Sequence, residues 1–363
     1  MGREYTLPFP RLSMTPSTPP LIADIDALLA LVRAQFSAQA TAVRHLSGER
    51  GMNFVVEMDA GVHAAPSRYV LKVSDPQENP ASLALQNTTL EHLVRSAPQL
   101  PVQRIYRWHN GAHMLALPQS EPPSYARMLA YLPGVPLHQA PSSAGQRQAV
   151  GAALGALDHA LAGFKHPVIN NPALLWDIHR TPELQAWLPA IADAQSRRWA
   201  EWVFGRYVDE VQPLLHTLEA QYLHNDFNPH NLLVDPADPR RVCGILDFGD
   251  MVHGPRVFDA AVGMSYQGLD GGGPSLDGMV DFARGYQAAN PLSAGELRLL
   301  PLLAAVRCAM TLCITEQRAQ WFPENRAYIL RNHAVASGGL RAILDPGLQA
   351  ASDMLLHHLQ APE

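Results

Sequence analysis

Cysteine, charge and long apolar runs are all scarce in this chain, and each scarcity excludes a class. Among 363 residues only Cys243, Cys308 and Cys313 are cysteines. Three cannot build a disulfide scaffold, and the odd count fits a reducing cytosol. Charged residues make up 17%, below the usual ~25%. Set against 47% hydrophobic residues, that composition is not a disordered polyampholyte. A basic surplus is missing too: 27 Lys and Arg face 33 Asp and Glu, a formal charge of −6. A general nucleic-acid binder carries the opposite sign. No stretch reaches ~18 uninterrupted apolar residues, so no transmembrane helix is expected. Met1 to Pro20 lacks the apolar centre of a secretory signal. The expected setting is cytoplasmic, with no membrane and no nucleic-acid partner.

Proline, by contrast, is plentiful: 31 residues put many stops in the chain and favour short elements joined by ordered loops. The length calls for two or three folding units. Residues 1–20 read as an extended lead-in. Leu21–Ala38 is an amphipathic helix, with Ile25, Leu28, Leu29, Val32 and Phe36 recurring at helical spacing. Strands follow at Thr41–Leu46, Asn53–Met58 and Arg68–Ser74, then a helix at Pro80–Arg95. Val102–Trp108 and Ala112–Leu117 flank Asn110-Gly111, a hairpin signal. Tyr125–Leu132 is a further strand, and Pro133-Gly134 is the candidate boundary. Beyond it helices dominate: Ala144–Phe164, Arg197–Phe204, Glu210–Ala220, Leu276–Ala289, Gly295–Trp321 and Asn325–Ile343. Two short strands, Asn231–Val234 and Arg241–Leu246, interrupt them. Gly271-Gly272-Gly273 reads as a flexible loop.

The richest stretch is His224-Asn225-Asp226-Phe227-Asn228-Pro229-His230-Asn231, an H-x-D-x-x-x-x-N pattern. A strand follows it, and the next strand ends in Asp247-Phe248-Gly249-Asp250. If the two strands form a hairpin, the loop before the first lies beside the loop after the second. Asp226, Asn231 and Asp247 then share one place. Phosphoryl transfer asks a protein mainly for positioning and for neutralisation of phosphate charge. Asp247 is a hard oxygen ligand suited to Mg²⁺, and Asn231 adds a neutral one. Asp226 beside them can accept the proton of an attacking hydroxyl. His224 is expected to pack within the loop, and Asp259 to brace it from behind. The pattern matches the kinase catalytic-loop and D-F-G signatures. A zinc reading of His224, Asp226 and His230 stays open beside it.

The N-terminal half should supply a lid and a lysine. Val70-Leu71-Lys72 resembles the strand context of the phosphate-binding lysine. The loop Ser47–Met52, with Gly48 and Gly51, lies between two strands as a lid or as a plain turn. Glu91 is the best-placed acid for Lys72, or a solvated helix carboxylate.

Together these stretches resemble the aminoglycoside phosphotransferase and choline kinase family, nearest to hydroxylysine kinase-like proteins and to phosphotransferase domains fused to class III aminotransferases. The matching pieces are Leu46–Phe54, Tyr69–Lys72, Tyr131–Gly134, His224–Asn231 and Ile245–Asp250. The resemblance implies an α+β, two-lobed protein-kinase-like fold. Residues 21–132 would form a small antiparallel-sheet lobe and 133–363 a mainly helical one, with the nucleotide in the cleft. It implies Asp226 as catalytic base, and Asn231 and Asp247 as Mg²⁺ ligands. Lys72 would hold phosphates, with Ser47, Gly48 and Asn53 in the phosphate loop. Val55, Val70 and Leu233 would sandwich the base, and the strand end from Ala130 through Tyr131 to Leu132 would offer it backbone hydrogen bonds.

The expected activity is transfer of the γ-phosphate of ATP or GTP, with Mg²⁺, to a hydroxyl of a small amino alcohol or amino acid. Hydroxylysine comes first, and homoserine, choline or an aminoglycoside next. Asp250, Asp270, Asp277 and Glu316 are candidate acids for a cationic acceptor, and Arg307 a candidate partner for an acceptor carboxylate. A protein kinase fits less well, because Asn228 stands where such enzymes place a lysine and no long activation segment follows Asp247. The alternatives are a non-catalytic nucleotide-binding pseudokinase module and a metallohydrolase built on His224 and His230.

Overall fold

The computed structural model describes residues 24–46, 51–59, 68–117, 121–168 and 174–360. The expected lead-in over residues 1–20 and the loop residues Ser47 and Gly48 lie outside the described residues. The chain divides into two compact units, one of residues up to Glu91 with Gln103–Leu132, the other of His92–Val102 with Pro133 onward.

The first unit is a six-stranded antiparallel sheet with a helix on each flank in sequence. Helix α1 (Ile25–Gln35) starts at Asp24, whose carboxylate accepts the main-chain N–H of Asp26 and Ala27. Strands β1 (Ala40–Leu46), β2 (Met52–Met58) and β3 (Arg68–Val73) follow, then helix α2 (Pro80–Ser96). Strand alternation decides which residues face the core. Phe54, Val56, Tyr69, Leu71 and Val73 turn inward with Leu28 and Val32 of α1. Asn53 and Val55 therefore turn the other way, directly opposite Lys72 and Val70 in the β2–β3 register.

The turn at Asn110-Gly111 forms: Trp108 and Ala112 bond across it and Gly111 has φ +80°. The hairpin expected around it does not. Strands β4 (Ile105–Tyr106) and β5 (Leu115–Leu117) both pair with β6 (Ser124–Ala130) and not with each other. Seven residues long, β6 has room for β4 beside Met128–Leu129 and β5 beside Ser124–Ala126.

The second unit is mainly helical. Strand β7 (Val135–Pro136) leads to helix α3 (Ala144–Leu161) and helix α4 (Ala194–Arg206). The helix expected over 210–220 forms only in part and not as an α-helix: a π-helical turn over Tyr207–Val211 continues into a 3₁₀ helix over Gln212–Thr217, and Ala220–Leu223 becomes strand β8. Strands β9 (Leu232–Val234) and β10 (Val242–Ile245) pair antiparallel, the hairpin that the sequence foreshadows. Strand β11 (Val252–Pro255) pairs with β8, and helix α5 (Arg256–Ser265) follows it. Neither β8 nor α5 is apparent from local periodicity. The Gly-rich segment is the turn of a small hairpin, β12 (Leu269–Asp270) with β13 (Gly273–Pro274).

Helix α6 (Asp277–Ala289) lies against α3, so close that a Cβ on Gly151 would stand 1.9 Å from the Phe282 carbonyl oxygen. Helix α7 (Ala294–Trp321) begins with a reciprocal cap between Ser293 and Glu296. It is long and apolar enough to cross a membrane, at a mean hydropathy of 1.8, but 89% of that window is buried by protein. Here it is the central core helix of the unit. The helix expected over 325–343 breaks at residues 330–332, leaving α8 (His333–Leu344), and α9 (Leu348–Gln360) closes the described chain.

Candidate active site

Two main-chain hydrogen bonds turn the β9–β10 hairpin into a platform. Leu246 donates its N–H to the Asn231 carbonyl at 2.8 Å, and Ile245 donates to Pro101 at 2.8 Å. The residue before Asp247 is thereby tied to Asn231. The loop ahead of β9 is held from behind by α5. Asp259 on that helix accepts the main-chain N–H of His224 at 2.7 Å and of Asn225 at 2.8 Å. His224 itself is fully buried. Its Nε2 lies 2.9 Å from the Leu246 carbonyl, and its Nδ1 accepts from the Asp226 N–H at 3.3 Å. A carbonyl can only accept, so Nε2 carries the proton. Both ring nitrogens are thus committed to the loop, as the sequence reading anticipates.

These tethers hold an unusual backbone. Asn225 has φ +63° and Asp247 φ +58°, the left-handed region that side chains with a Cβ rarely adopt. Asn225 is the residue type best suited to it, and its Nδ2 donates to the Asp250 carbonyl at 3.1 Å. The two strained positions are the residue before Asp226 and Asp247 itself.

Asp226 is gripped at both carboxylate oxygens. Asn228 Nδ2 donates to Oδ1 at 2.9 Å, and Asn231 Nδ2 donates to Oδ2 at 2.7 Å. Its side chain keeps 21% exposure. The structure thus brings Asp226 and Asn231 into contact, with Asp247 next to the residue that bonds Asn231. With its Nδ2 on Asp226, Asn231 retains its amide oxygen as a donor to a cation, and Asp247 supplies a carboxylate whose Oδ1 also accepts the Gly249 N–H at 3.2 Å. A neutral amide oxygen and a carboxylate are the hard donors that Mg²⁺ takes, so the residues fit that ion.

The zinc reading finds no such support. His224 is used up within the loop, His230 stacks on His138 with ring centroids 4.1 Å apart, and among the described residues no group of three His, Cys, Asp or Glu could hold a metal.

In the first unit, Asn53, Val55, Val70 and Lys72 share one face of the sheet. Arg127 stands opposite Lys72 on that face and donates to Gln86 at 2.9 Å and Asn87 at 3.2 Å on α2. Gly51 opens β2 with φ +64°, and a Cβ there would meet the Val73 carbonyl oxygen at 2.3 Å. Glu91 receives Arg107 at 2.8 Å and His113 at 3.1 Å. The main-chain groups of Ala130 are engaged by Arg104 and Gln103, and the Tyr131 ring lies under the Arg68 guanidinium. Leu233 is buried on β9.

Of the acids expected to receive a cationic acceptor, Asp270 pairs with Arg147 at 3.3 Å and Glu316 with His333 at 2.8 Å. Arg307, expected to meet an acceptor carboxylate, is buried against the loop that carries Asp226. Sequence reasoning missed Asn228 as a holder of Asp226 and Trp176 as a neighbour of the loop. Asn228, two positions after Asp226, was visible as a departure from the protein-kinase pattern. Trp176 carried no signal.

Comparison with known proteins places the chain in one family. The model of the "Phosphotransferase enzyme family" matches residues 42–297. Hydroxylysine kinase of Mus musculus is 28% identical over 355 residues, covering 93% of both chains. Among solved structures, a microcompartment-associated aminopropanol kinase superposes with a TM-score of 0.62 at 16% identity, over 92% of this chain and all of that one. An amicoumacin kinase in complex with AMP-PNP and Ca²⁺ superposes with a TM-score of 0.61 at 14% identity, over 86% of this chain and 93% of that one. The expected α+β, protein-kinase-like fold is what these likenesses show.

Proposed function

This chain belongs to the phosphotransferase enzyme family and is a small-molecule kinase, and from that premise we propose that it transfers the γ-phosphate of ATP or GTP to the side-chain hydroxyl of hydroxylysine or a closely similar amino acid. The observation that carries the reading is the grip on Asp226: both carboxylate oxygens are fixed by amides, one of them from Asn231, whose backbone is bonded next to Asp247. The likeness to hydroxylysine kinases over 93% of the chain supports the choice of acceptor.

In this reading Asp226 orients the acceptor hydroxyl and takes its proton as the oxygen bonds to the γ-phosphorus and the nucleoside diphosphate leaves. Asn228 and Asn231 keep the carboxylate from turning away, so its remaining lone pairs face the acceptor. Asn231 and Asp247 would hold Mg²⁺, which supplies neutralisation of the phosphate charge when bound. Lys72 would contact the phosphates as a point charge. Val55, Val70 and Leu233 would contact the base, and Tyr131 and Leu132 would offer it main-chain groups, since those of Ala130 are already engaged.

The test is a screen of the purified chain against L-5-hydroxylysine, 1-amino-2-propanol, homoserine, choline and an aminoglycoside, each with MgATP and MgGTP. Diphosphate release and the phosphorylated acceptor are both measured. Hydroxylysine is expected to give the highest kcat/KM. Preference for choline or the aminoglycoside overturns the acceptor assignment. Nucleotide binding without transfer to any of them favours the pseudokinase alternative.

A further inference from the structure

Arg307 sits in the middle of the core helix α7 and is only 1% exposed. A buried guanidinium is costly unless it is met by acceptors. Its Nη1 donates to the Trp176 carbonyl at 2.6 Å and its Nη2 to the Asn225 carbonyl at 3.3 Å. The same Nη2 lies 3.9 Å from Asp226 Oδ1, and the guanidinium stands 5.0 Å from the centre of the Trp176 ring. Its Nε has no hydrogen-bond partner among the described residues. The contacts to Trp176, Asn225 and Asp226 are all made by the two Nη groups. Tyr266, at the end of α5, shares this neighbourhood. Burial pushes its hydroxyl up to about 12, with Arg307 opposing that rise and Asp226 adding to it.

The bonds fall where the loop is under strain. The Asn225 carbonyl belongs to the peptide that joins the left-handed residue to Asp226. Asp259 holds the amide side of this turn and Arg307 its carbonyl side. A neutral core residue could fill the space but could not hold that carbonyl, nor face Asp226 with positive charge. The Trp176 bond ties a segment far away in sequence to the same guanidinium.

We propose that Arg307 is a positioning residue for the reaction: it clamps the Trp176 and Asn225 carbonyls and so fixes the peptide that aims the Asp226 carboxylate. It acts through Asp226 and not on the acceptor. This deepens the kinase reading above and rests on the role given there to Asp226.

The test compares the full chain with Arg307→Met, which fills the site without charge, and Arg307→Lys, which keeps the charge and loses the fork. Displacing a reacting group by about an ångström costs on the order of a hundredfold in rate. Arg307→Met is expected to lose about that much kcat on hydroxylysine with KM for the nucleotide unchanged, and Arg307→Lys to recover roughly a tenth of the wild-type rate. Amide hydrogen exchange of 222–231 and 174–180 should rise in Arg307→Met while α3 and α6 stay protected. Wild-type kcat in a folded Arg307→Met, or a parallel loss in kcat and nucleotide KM that lysine does not relieve, overturns the proposal. If methionine prevents folding, Arg307→Lys decides alone, since unchanged kcat and unchanged exchange in that variant overturn it. The exchange readout needs no turnover. It still judges Arg307 if the wild-type chain phosphorylates none of the acceptors, a result that sinks the kinase assignment and not the clamp.

Discussion

At the scale of single residues, two carboxylates of the same chemical type carry different expected roles because of what touches them. Asp226 is held by two neutral amides and keeps part of its surface exposed, an arrangement that fixes direction without removing its ability to take a proton. Asp226→Asn is therefore expected to lower kcat by about 10²–10⁴-fold while nucleotide binding and melting temperature hold. A coupled assay beside a binding titration checks this, and a variant with near-normal turnover would remove Asp226 from the chemistry. Asp247 stands in a left-handed conformation next to the residue bonded to Asn231. Asp247→Asn is expected to abolish transfer at ordinary Mg²⁺ and to raise the Mg²⁺ concentration needed for half-maximal rate. Chelation of wild-type enzyme with EDTA should stop turnover, and added Mg²⁺ should restore it. Much of this was legible in the letters, because H-x-D-x-x-x-x-N and D-F-G fix residue types at spacings the chemistry needs. The partners of Asp226 were less legible. An asparagine two positions on has no local reason to point at the carboxylate until the turn is formed.

At the scale of elements, α5 braces the loop that carries Asp226, and it brings an electrostatic liability. Asp259 is fully buried beneath the loop, and burial raises its carboxyl above the ordinary range. Asp158 of α3 faces it, equally buried, and is raised well above the ordinary value first by burial and then by the charge of Asp259. Tyr286 of α6 donates to Asp158 at 2.6 Å, while among the described residues the other Asp158 oxygen has no such donor. Such a pair is stable when one member keeps a proton. A carboxyl whose folded pKa is raised holds its proton in the folded state after the unfolded chain has released it, so stability falls as pH rises through the folded value. Asp158→Asn keeps a donor toward Asp259 and an acceptor for Tyr286 without the titration. It is expected to melt at least as high as wild type once pH is above the ordinary carboxylate range, with an advantage that widens as pH rises further. A melting-temperature series against pH checks it, and an advantage that shrinks with pH contradicts the shared proton. In the other unit, Gly51 is required by its backbone and by the nearby Val73 carbonyl. Gly51→Ala is expected to cost about 1–3 kcal/mol, read from a urea melt. Neither α5 nor β8 was visible in the sequence. The two elements are short, and each owes its form to a partner distant in the chain, β8 to β11 and α5 to α3 and α7.

At the scale of the whole molecule, ligand linkage gives the broadest check. Mg²⁺-nucleotide that binds only the folded chain should raise its melting temperature as concentration grows, by about 2.7 kcal/mol of added stability at a hundred times Kd. EDTA should remove most of the shift, and an identical shift with and without Mg²⁺ would contradict the metal assignment. By itself the sequence determined the residue types of the chemistry and the hairpin that brings Asn231 toward Asp247. It also determined the alternation that sends Lys72 and Val70 to one face and Leu71 to the other. These follow from neighbours within a few positions, where spacing and strand periodicity act directly. Tertiary structure alone decided that β4 and β5 share the edge of β6, that β8 pairs with β11, and that Arg307 bonds the loop before Asp226. In each case the deciding partner is remote in sequence. A buried arginine and an exposed one are the same letter, and only packing determines whether its charge meets water or the carbonyls beside Asp226.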